Sequence, residues 1–312
     1  MGFPWTHTPP LSFGAASPTL SCDWAPKSPA HEEMNRDVRS AWVAFMRTAI
    51  CLHGLSLGRN TLRDITRSNP DNDWKRFTKT ILSNLIENNN ADVFIHTWEH
   101  DEINQIINVY KPKLILSEPQ RSFNPFFSNE ILNIDKEDFG LYMRNGYNPL
   151  IYTHPRIFSY TYSFDRSDSL RQSYELQHGF KYDYVIKMRF DMQILKPINV
   201  TKFDANKIQL GKWWGGHPKA IEELLIICNS SNMKNISSLY HKMYEYLVDD
   251  EYNNIIRSSG LGAYHFSSPH EIFYHHFYKE NLLHIKEEIF EREVDFTLDR
   301  KNFNFSETNK DI

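Results

Sequence analysis

Apolar positions along this chain follow two periods, one of two residues and one near 3.6, and their alternation predicts an α/β fold. Ala49-Ile50-Cys51-Leu52 is a short apolar strand that runs into His53-Gly54-Leu55-Ser56-Leu57-Gly58-Arg59. Trp74, Phe77, Ile81 and Leu85 then recur at helical spacing, predicting an amphipathic helix near 73–88 that Asn88-Asn89-Asn90 closes. Asp92-Val93-Phe94-Ile95-His96-Thr97-Trp98 and Lys113-Leu114-Ile115-Leu116-Ser117 read as a second and a third strand. A helix at about 167–178 delivers the chain into the stretch from Tyr182 to Asp191. Beyond it, Ile208-Gln209-Leu210-Gly211 predicts a short strand, and Trp213-Trp214-Gly215-Gly216 an aromatic turn. Three helices are expected after that: one opened by Pro218 and carrying Ile221, Leu224, Leu225 and Cys228; one carrying Ile236, Leu239, Tyr240, Met243 and Leu247; and one from Pro269 with Ile272, Phe273, His276 and Phe277 on one face. Strands alternating with helices imply a mostly parallel sheet with right-handed crossovers.

The stretch Tyr182-Asp183-Tyr184-Val185-Ile186-Lys187-Met188-Arg189-Phe190-Asp191 carries the most information about chemistry. Side chains alternate faces along a strand, so Lys187, Arg189 and Asp191 share one face while Ile186, Met188 and Phe190 share the other. A strand buried on both faces reads as a continuous apolar run. Charges emerging at the carboxyl end therefore mark either a half-exposed strand with a solvated face or the sheet edge where open α/β folds bind polar ligands.

Residues 1–39 differ from the rest. Pro4, Pro9, Pro10, Pro18, Pro26 and Pro29 stand among Ser, Thr and Gly with no apolar period, which predicts a low-order tail. The α/β domain is expected over 40–300, followed by a polar tail over 301–312, and the Asn-, Phe- and Pro-rich stretch 119–150 reads as a surface loop or lid. A net charge of −4 leaves no basic footprint for nucleic acid. The three cysteines, Cys22, Cys51 and Cys228, are widely spaced and odd in number, so no disulfide framework or CxxC metal site is read and a reducing compartment is inferred. With no apolar run of membrane-span length and no secretory signal, a cytoplasmic location is expected. On that expectation the Asn-x-Ser/Thr sequons at Asn199, Asn229, Asn235 and Asn304 carry no glycan.

Four motifs occur in a distinctive order: Gly54 to Arg59 after the first strand, Asp92-Val93-Phe94-Ile95-His96-Thr97-Trp98, Ser159-Tyr160-Thr161-Tyr162-Ser163 ahead of a helix, and Tyr182 to Asp191. In that order they resemble a family of GT-A-type glycosyltransferases found in surface-polysaccharide gene clusters and in large viruses, over roughly residues 48–285. The resemblance implies a single Rossmann-like domain that holds a nucleoside-diphosphate sugar and moves the sugar to a glycan acceptor. It also implies Mn²⁺ or Mg²⁺ held against the diphosphate by an acidic motif at a strand end. Asp191 stands at that position, but Arg189 replaces the first acidic residue of the usual Asp-x-Asp, which leaves metal dependence open. Arg189 would pair with the diphosphate or orient Asp191; the alternative is a structural salt bridge within the strand.

The same resemblance gives other residues roles, each beside a plainer one. Gly54 and Gly58 let the loop turn tightly and Arg59 would grip a phosphate, although the spacing matches neither GxGxxG nor a P-loop. His96 would touch base or ribose, or be a core residue like Trp98. Tyr160 and Tyr162 are expected on one extended face, to stack on a ring or pack the domain; Arg166 and Arg171 beside them read as solvated helix residues, with Arg166 close to where the diphosphate would lie. On the acceptor side, Trp213 and Trp214 suit a sugar face, His270 is a candidate ligand for a metal or phosphate, and Glu271 is a candidate base. The plainer reading of Glu271 is a first-turn carboxylate stabilised by the helix dipole. The acidic residue that the family implies in the Lys212-Trp213-Trp214 turn is missing, which keeps open a second reading: a GT-A scaffold that binds nucleotide or glycan without turnover. His270-Glu271-Ile272-Phe273-Tyr274-His275 comes close to HExxH but places Tyr274 where the second histidine must stand, which excludes a zincin site.

Overall fold

The computed structural model describes residues 46–298 apart from 55, 59–71, 122, 124–153, 214–218, 248, 250 and 252–268. The two tails, most of the 119–150 loop, Arg59 and Trp214 thus lie outside the described residues.

The chain runs through β1 (Thr48–Gly54), β2 (Leu57–Gly58), β3 (Asn72–Asp73), α1 (Lys75–Ile81), β4 (Asp92–Trp98), α2 (Ile103–Tyr110) and β5 (Leu114–Glu118). It continues with α3 (His154–His178), β6 (Tyr184–Arg189), β7 (Met192–Ile194), β8 (Ile208–Gly211) and β9 (Glu222–Cys228). Last come α4 (Ser230–Ser237), α5 (Leu239–Leu247), α6 (Pro269–Lys279), β10 (Lys286–Phe290) and β11 (Phe296–Leu298). Seven strands form one sheet in the order β10-β8-β9-β6-β1-β4-β5. β1, β4, β5 and β6 are parallel, as are β8 and β10, while β9 runs antiparallel to both its neighbours. The fold is therefore α/β with a mostly parallel mixed sheet.

The central strands are buried on both faces because alternate residues serve two cores. Ala49, Cys51, Phe94 and Val185 pack with Phe158, Tyr162 and Phe164 of α3. Ile50, Leu52, Val93, Ile95, Ile186 and Met188 pack with Trp74, Ile81 and Leu85 on the other side. The helix predicted near 73–88 begins at Lys75, continues as a π-helical turn over Leu82–Ile86 and a 3₁₀ turn over Glu87–Asn89, and ends at Asn90 in the left-handed conformation. Cys51 and Cys228 are buried free thiols. Two of the sequon asparagines cap local structure: Asn229 accepts from the Asn232 N–H at the start of α4, and Asn199 from Thr201 N–H.

Three expectations need correction. The single helix expected to carry Ile236 through Leu247 is two, α4 ending at Ser237 and α5 beginning at Leu239. The segment from Pro218 to Cys228, expected as a helix, contains β9. It lies between β6 and β8, fully buried, and a continuous apolar run in that setting has no period to tell strand from helix. The helix expected at 167–178 begins at His154, so Tyr160 and Tyr162 are helical and diverge rather than share an extended face. Tyr160 packs beside His53, whereas Tyr162 stacks on Trp98. The terminal strands β10 and β11 had no counterpart in the sequence reading.

Topology fixes where ligands meet such a sheet. From β1 the chain steps outward through β4 to β5, then returns across α3 to place β6 on the opposite flank of β1. Successive crossovers thus diverge at the carboxyl ends of β1 and β6, the switch point at which open α/β sheets bind ligands. Antiparallel β9 brings its amino end, Glu222-Glu223, to that same edge. Gly211, ending β8, lets this approach be close: a Cβ there would lie 2.5 Å from Cγ of Glu222 and 3.2 Å from Phe296. Glu222 is fully buried and cannot swing away. Gly211→Ala is expected to destabilise the chain by about 1–3 kcal/mol through overpacking, measured as a lower urea midpoint with an unchanged slope.

Candidate functional site

β6 ends in a charged pair. Arg189 Nε donates to Asp191 Oδ1 at 2.8 Å and its Nη2 donates to Oδ2, a bidentate contact across the turn that follows the strand. Both side chains stay partly open, with 32% and 22% of their surface exposed. The salt bridge considered from the sequence is therefore present, and it occupies both oxygens of Asp191.

Lys187, two residues earlier on the same face, is fully buried. Its Nζ donates to Tyr160 Oη and to the backbone carbonyl of Glu223, and Tyr160 Oη also donates to that carbonyl at 3.3 Å. Burial lowers the Lys187 ammonium to about 7, against the nearby Glu223 carboxylate, which raises it. Lys187 thus ties β6, α3 and the start of β9 together rather than facing a ligand. His53 on β1 lies opposite Arg189 in register. Its ring packs 5.1 Å from Tyr160 and 5.5 Å from Phe164, and neither of its nitrogens meets a hydrogen-bond partner among the described residues. Burial first, then the Lys187 and Arg189 cations, hold it well below its usual pKa, so it is neutral at neutral pH.

A second group adjoins the first. His270, in the first turn of α6, pairs with Glu223 at 2.5 Å and also contacts the Ile221 carbonyl at 3.0 Å. Its ring lies 4.3 Å from that of Trp213, which follows β8. Glu222 is buried beside them, and neither of its carboxylate oxygens has a hydrogen-bond partner among the described residues. Burial, then the Glu223 charge, raises Glu222 to about 7. Burial alone would raise Glu223 and lower His270; their mutual attraction overrides it, holding Glu223 below the usual carboxylate range and lifting His270 to about 9. Lys187 feels the charges of Glu222, Glu223, Arg189 and Asp191, which links the two groups.

Other candidate residues are placed elsewhere. Gly54 adopts φ 103°, a conformation that favours glycine, and its N–H donates to Ser163 Oγ at 2.7 Å. Ser163 also bonds His96 Nδ1 at 2.7 Å, while His96 Nε2 meets Glu118 at 3.0 Å. His96 is fully buried with both nitrogens engaged, and burial first of all lowers it to about 4. It is a satisfied core histidine in this arrangement, with no free edge for a base or ribose. Arg166 lies over the Tyr162 ring at 5.8 Å, near the cluster formed by Glu118, Arg121 and His96, and its Nε has no hydrogen-bond partner among the described residues. Arg171 is not a solvated residue: it is fully buried between Asp168 and Glu175. Glu271 is buried in the first turn of α6, which fits a helix-start carboxylate better than a base reaching an acceptor hydroxyl. The other histidines of that helix serve packing, His276 bonding Tyr246 and the Asn235 carbonyl and His275 approaching Asp249 at 3.6 Å.

A Mn²⁺ or Mg²⁺ at Asp191 is not matched by these residues. Hard cations want several oxygen ligands, and Asp191 offers a single carboxylate with the Arg189 cation bound against both its oxygens. Among the described residues the group with ligand atoms close enough for a cation is Glu222, Glu223 and His270. The two glutamates escaped the sequence reading because they were assigned to a helix. A pair of acids heading a five-residue apolar run was the signal, since a strand that starts at the ligand-binding edge carries its polar residues at that end.

No helix among the described residues is long and apolar enough to cross a membrane. No protein-family model matches the chain, and no curated protein matches it at a significant level.

Proposed function

We propose that this chain is a glycosyltransferase that moves a sugar from a nucleoside-diphosphate sugar to a glycan acceptor on a GT-A-like sheet. One observation carries the reading: the Arg189–Asp191 pair stands at the carboxyl end of β6, at the switch point beside β1, where an α/β sheet receives a nucleotide. A guanidinium fixed there by a carboxylate is suited to meet a diphosphate with its planar fork and to stabilise the charge that develops as it leaves. Trp213, beside His270 on the same edge, offers an aromatic face for a sugar ring. The motif order set out above supports the donor class.

A second reading, binding without turnover, draws on the burial of Glu271, which leaves the acceptor side without the base assigned to it from the sequence. The two readings separate experimentally. Thermal unfolding of the full chain is measured against UDP, GDP, CMP and dTDP sugars, with release of free nucleotide followed in parallel. One nucleotide class is expected to raise the midpoint, since a ligand at 100 times its Kd stabilises by about 2.7 kcal/mol. A shift together with nucleotide release supports transfer. A shift with no release under any acceptor supports the scaffold, and no shift with any nucleotide defeats both.

A further inference from the structure

We propose that Glu222, Glu223 and His270 form a divalent-cation site for a first-row transition ion of the Mn²⁺ or Zn²⁺ type. The candidate ligand atoms, one from each residue, all lie within 4.8 Å of one another. Ligands sharing an ion at about 2.0–2.2 Å stand about 3.3–3.6 Å apart in tetrahedral geometry, so the set closes once its most distant pair draws together by at most about 1.5 Å. The independent sign of a ligand is Glu222. Its side chain is fully buried and both its oxygens lack a partner among the described residues, although the neighbouring His270 is already paired with Glu223. A buried carboxylate without donors is unfavourable by several kcal/mol, and a dication held by both glutamates removes that penalty.

The backbone is shaped to present these groups. In the β8–β9 ladder Leu210 pairs with Ile226 and Gly211 with Glu222, so the register slips and Glu223 to Leu225 have no partner across β8. Such a bulge breaks strict alternation and re-aims side chains, which is how two consecutive glutamates both come to lie beside His270. The freed Glu223 carbonyl is anchored by Lys187 and Tyr160. The bare Cα of Gly211 leaves room for Glu222, as the Cβ contact at 2.5 Å demonstrates. Two carboxylate oxygens with one imidazole nitrogen suit Mn²⁺ or Zn²⁺ better than Mg²⁺, which prefers oxygen throughout. Three protein ligands leave coordination positions for water or a substrate. The site goes beyond the transferase reading and does not depend on it.

The test is calorimetric titration of the chelator-stripped full chain with MnCl₂ and with ZnCl₂, supported by Mn²⁺ electron paramagnetic resonance. One ion per chain is expected. Glu222→Gln and His270→Gln should each weaken it by more than the roughly 10- to 100-fold that losing even an outer partner of a metal costs. Asp191→Asn should leave the affinity unchanged. Glu222→Gln keeps the side chain's shape and removes the stranded charge, so the ion-free variant should unfold at no lower urea concentration than the wild type. Absence of binding by both ions overturns the proposal, as does binding that survives both substitutions. Binding lost in Asp191→Asn but kept in Glu222→Gln places the ion at the end of β6 and overturns it too. An ion bound with these dependences in a chain that releases no nucleotide sinks the transferase reading and leaves the cation site standing.

Discussion

Arg171→Ala is expected to lower the stability of this chain by about 3–5 kcal/mol, the usual effect of breaking a buried ion pair from one side. Arg171 is fully buried on α3 and holds two carboxylates from its own helix: Nε donates to Asp168 Oδ1 at 2.7 Å and Nη1 lies 2.8 Å from Glu175 Oε1. Its Nη1 also donates to Ser230 Oγ at 2.7 Å, and that hydroxyl donates in turn to Glu175 at 2.9 Å. Asp168 further receives Ser237 Oγ and Gln172 Nε2, each at 2.7 Å, and Glu175 receives the Tyr182 N–H at 2.8 Å. The network joins α3 to α4 and to the entry of β6. Removing the guanidinium leaves two buried carboxylates 7 residues apart on one helix; Asp168 then faces no cation in this network, and Glu175 keeps only the largely exposed Lys181 ammonium at 3.0 Å.

Urea unfolding with a common slope measures the loss. Arg171→Lys should recover only part of it, because an ammonium is a single point and cannot span both carboxylates as the planar fork does. Acid should erode the same network in the wild type. Burial alone would raise Glu175, but the Tyr182 N–H and Arg171 hold it below the usual carboxylate range. A depressed folded-state pKa stabilises above the unfolded value of about 4.3, and that contribution fades as pH falls through the folded value. A loss under about 1 kcal/mol in Arg171→Ala would mean that water or a neighbour reaches the stranded acids, and the network would then not be what fixes α3 against the sheet.

Much of the fold could be read from the sequence wherever two signals coincided. Asp92–Trp98 was bounded by Asn88-Asn89-Asn90 before it and charged residues after it, and its limits were predicted as observed. Pro269 marked the start of α6, and Ile208–Gly211 stood as a short run ended by glycine. β9 failed because both its faces are buried, so Leu224 to Ile227 offered no alternation to distinguish it from a buried helix. The start of α3 failed because polar and aromatic residues interleave around its surface: Tyr160 meets Lys187, Ser163 meets His96 and Asp168 meets Arg171, leaving no clean apolar stripe. Pro155, in the first turn, was the overlooked start signal. At the site, alternation alone placed Lys187, Arg189 and Asp191 on one face. It could not show that Lys187 turns inward to a carbonyl, because that carbonyl is exposed only by the bulge in β9.

On the proposed transferase reading, Arg189→Ala is expected to lower the maximal rate of sugar transfer about 100- to 1,000-fold, the range seen when one preorganised donor to a developing oxyanion is removed. Stability should hardly change, since a partly exposed ion pair contributes about 0–1 kcal/mol. That separation of rate from stability is what distinguishes a group facing the diphosphate from one holding the turn after β6. Arg189→Lys should fall between, keeping the charge but losing the fork that Asp191 now aligns through Nε and Nη2. Asp191→Ala should lower the rate while nucleotide affinity holds, because the guanidinium remains but its direction is no longer fixed. Rates are followed as nucleotide release from whichever sugar donor shifts the unfolding midpoint, with unfolding curves taken on the same preparations. Wild-type turnover in Arg189→Ala would remove this residue from the chemistry and reduce the pair to a brace for the turn. A rate loss matched by an equal loss of stability would do the same, since a brace fails in both measurements together and a group that acts on the leaving diphosphate fails in only one.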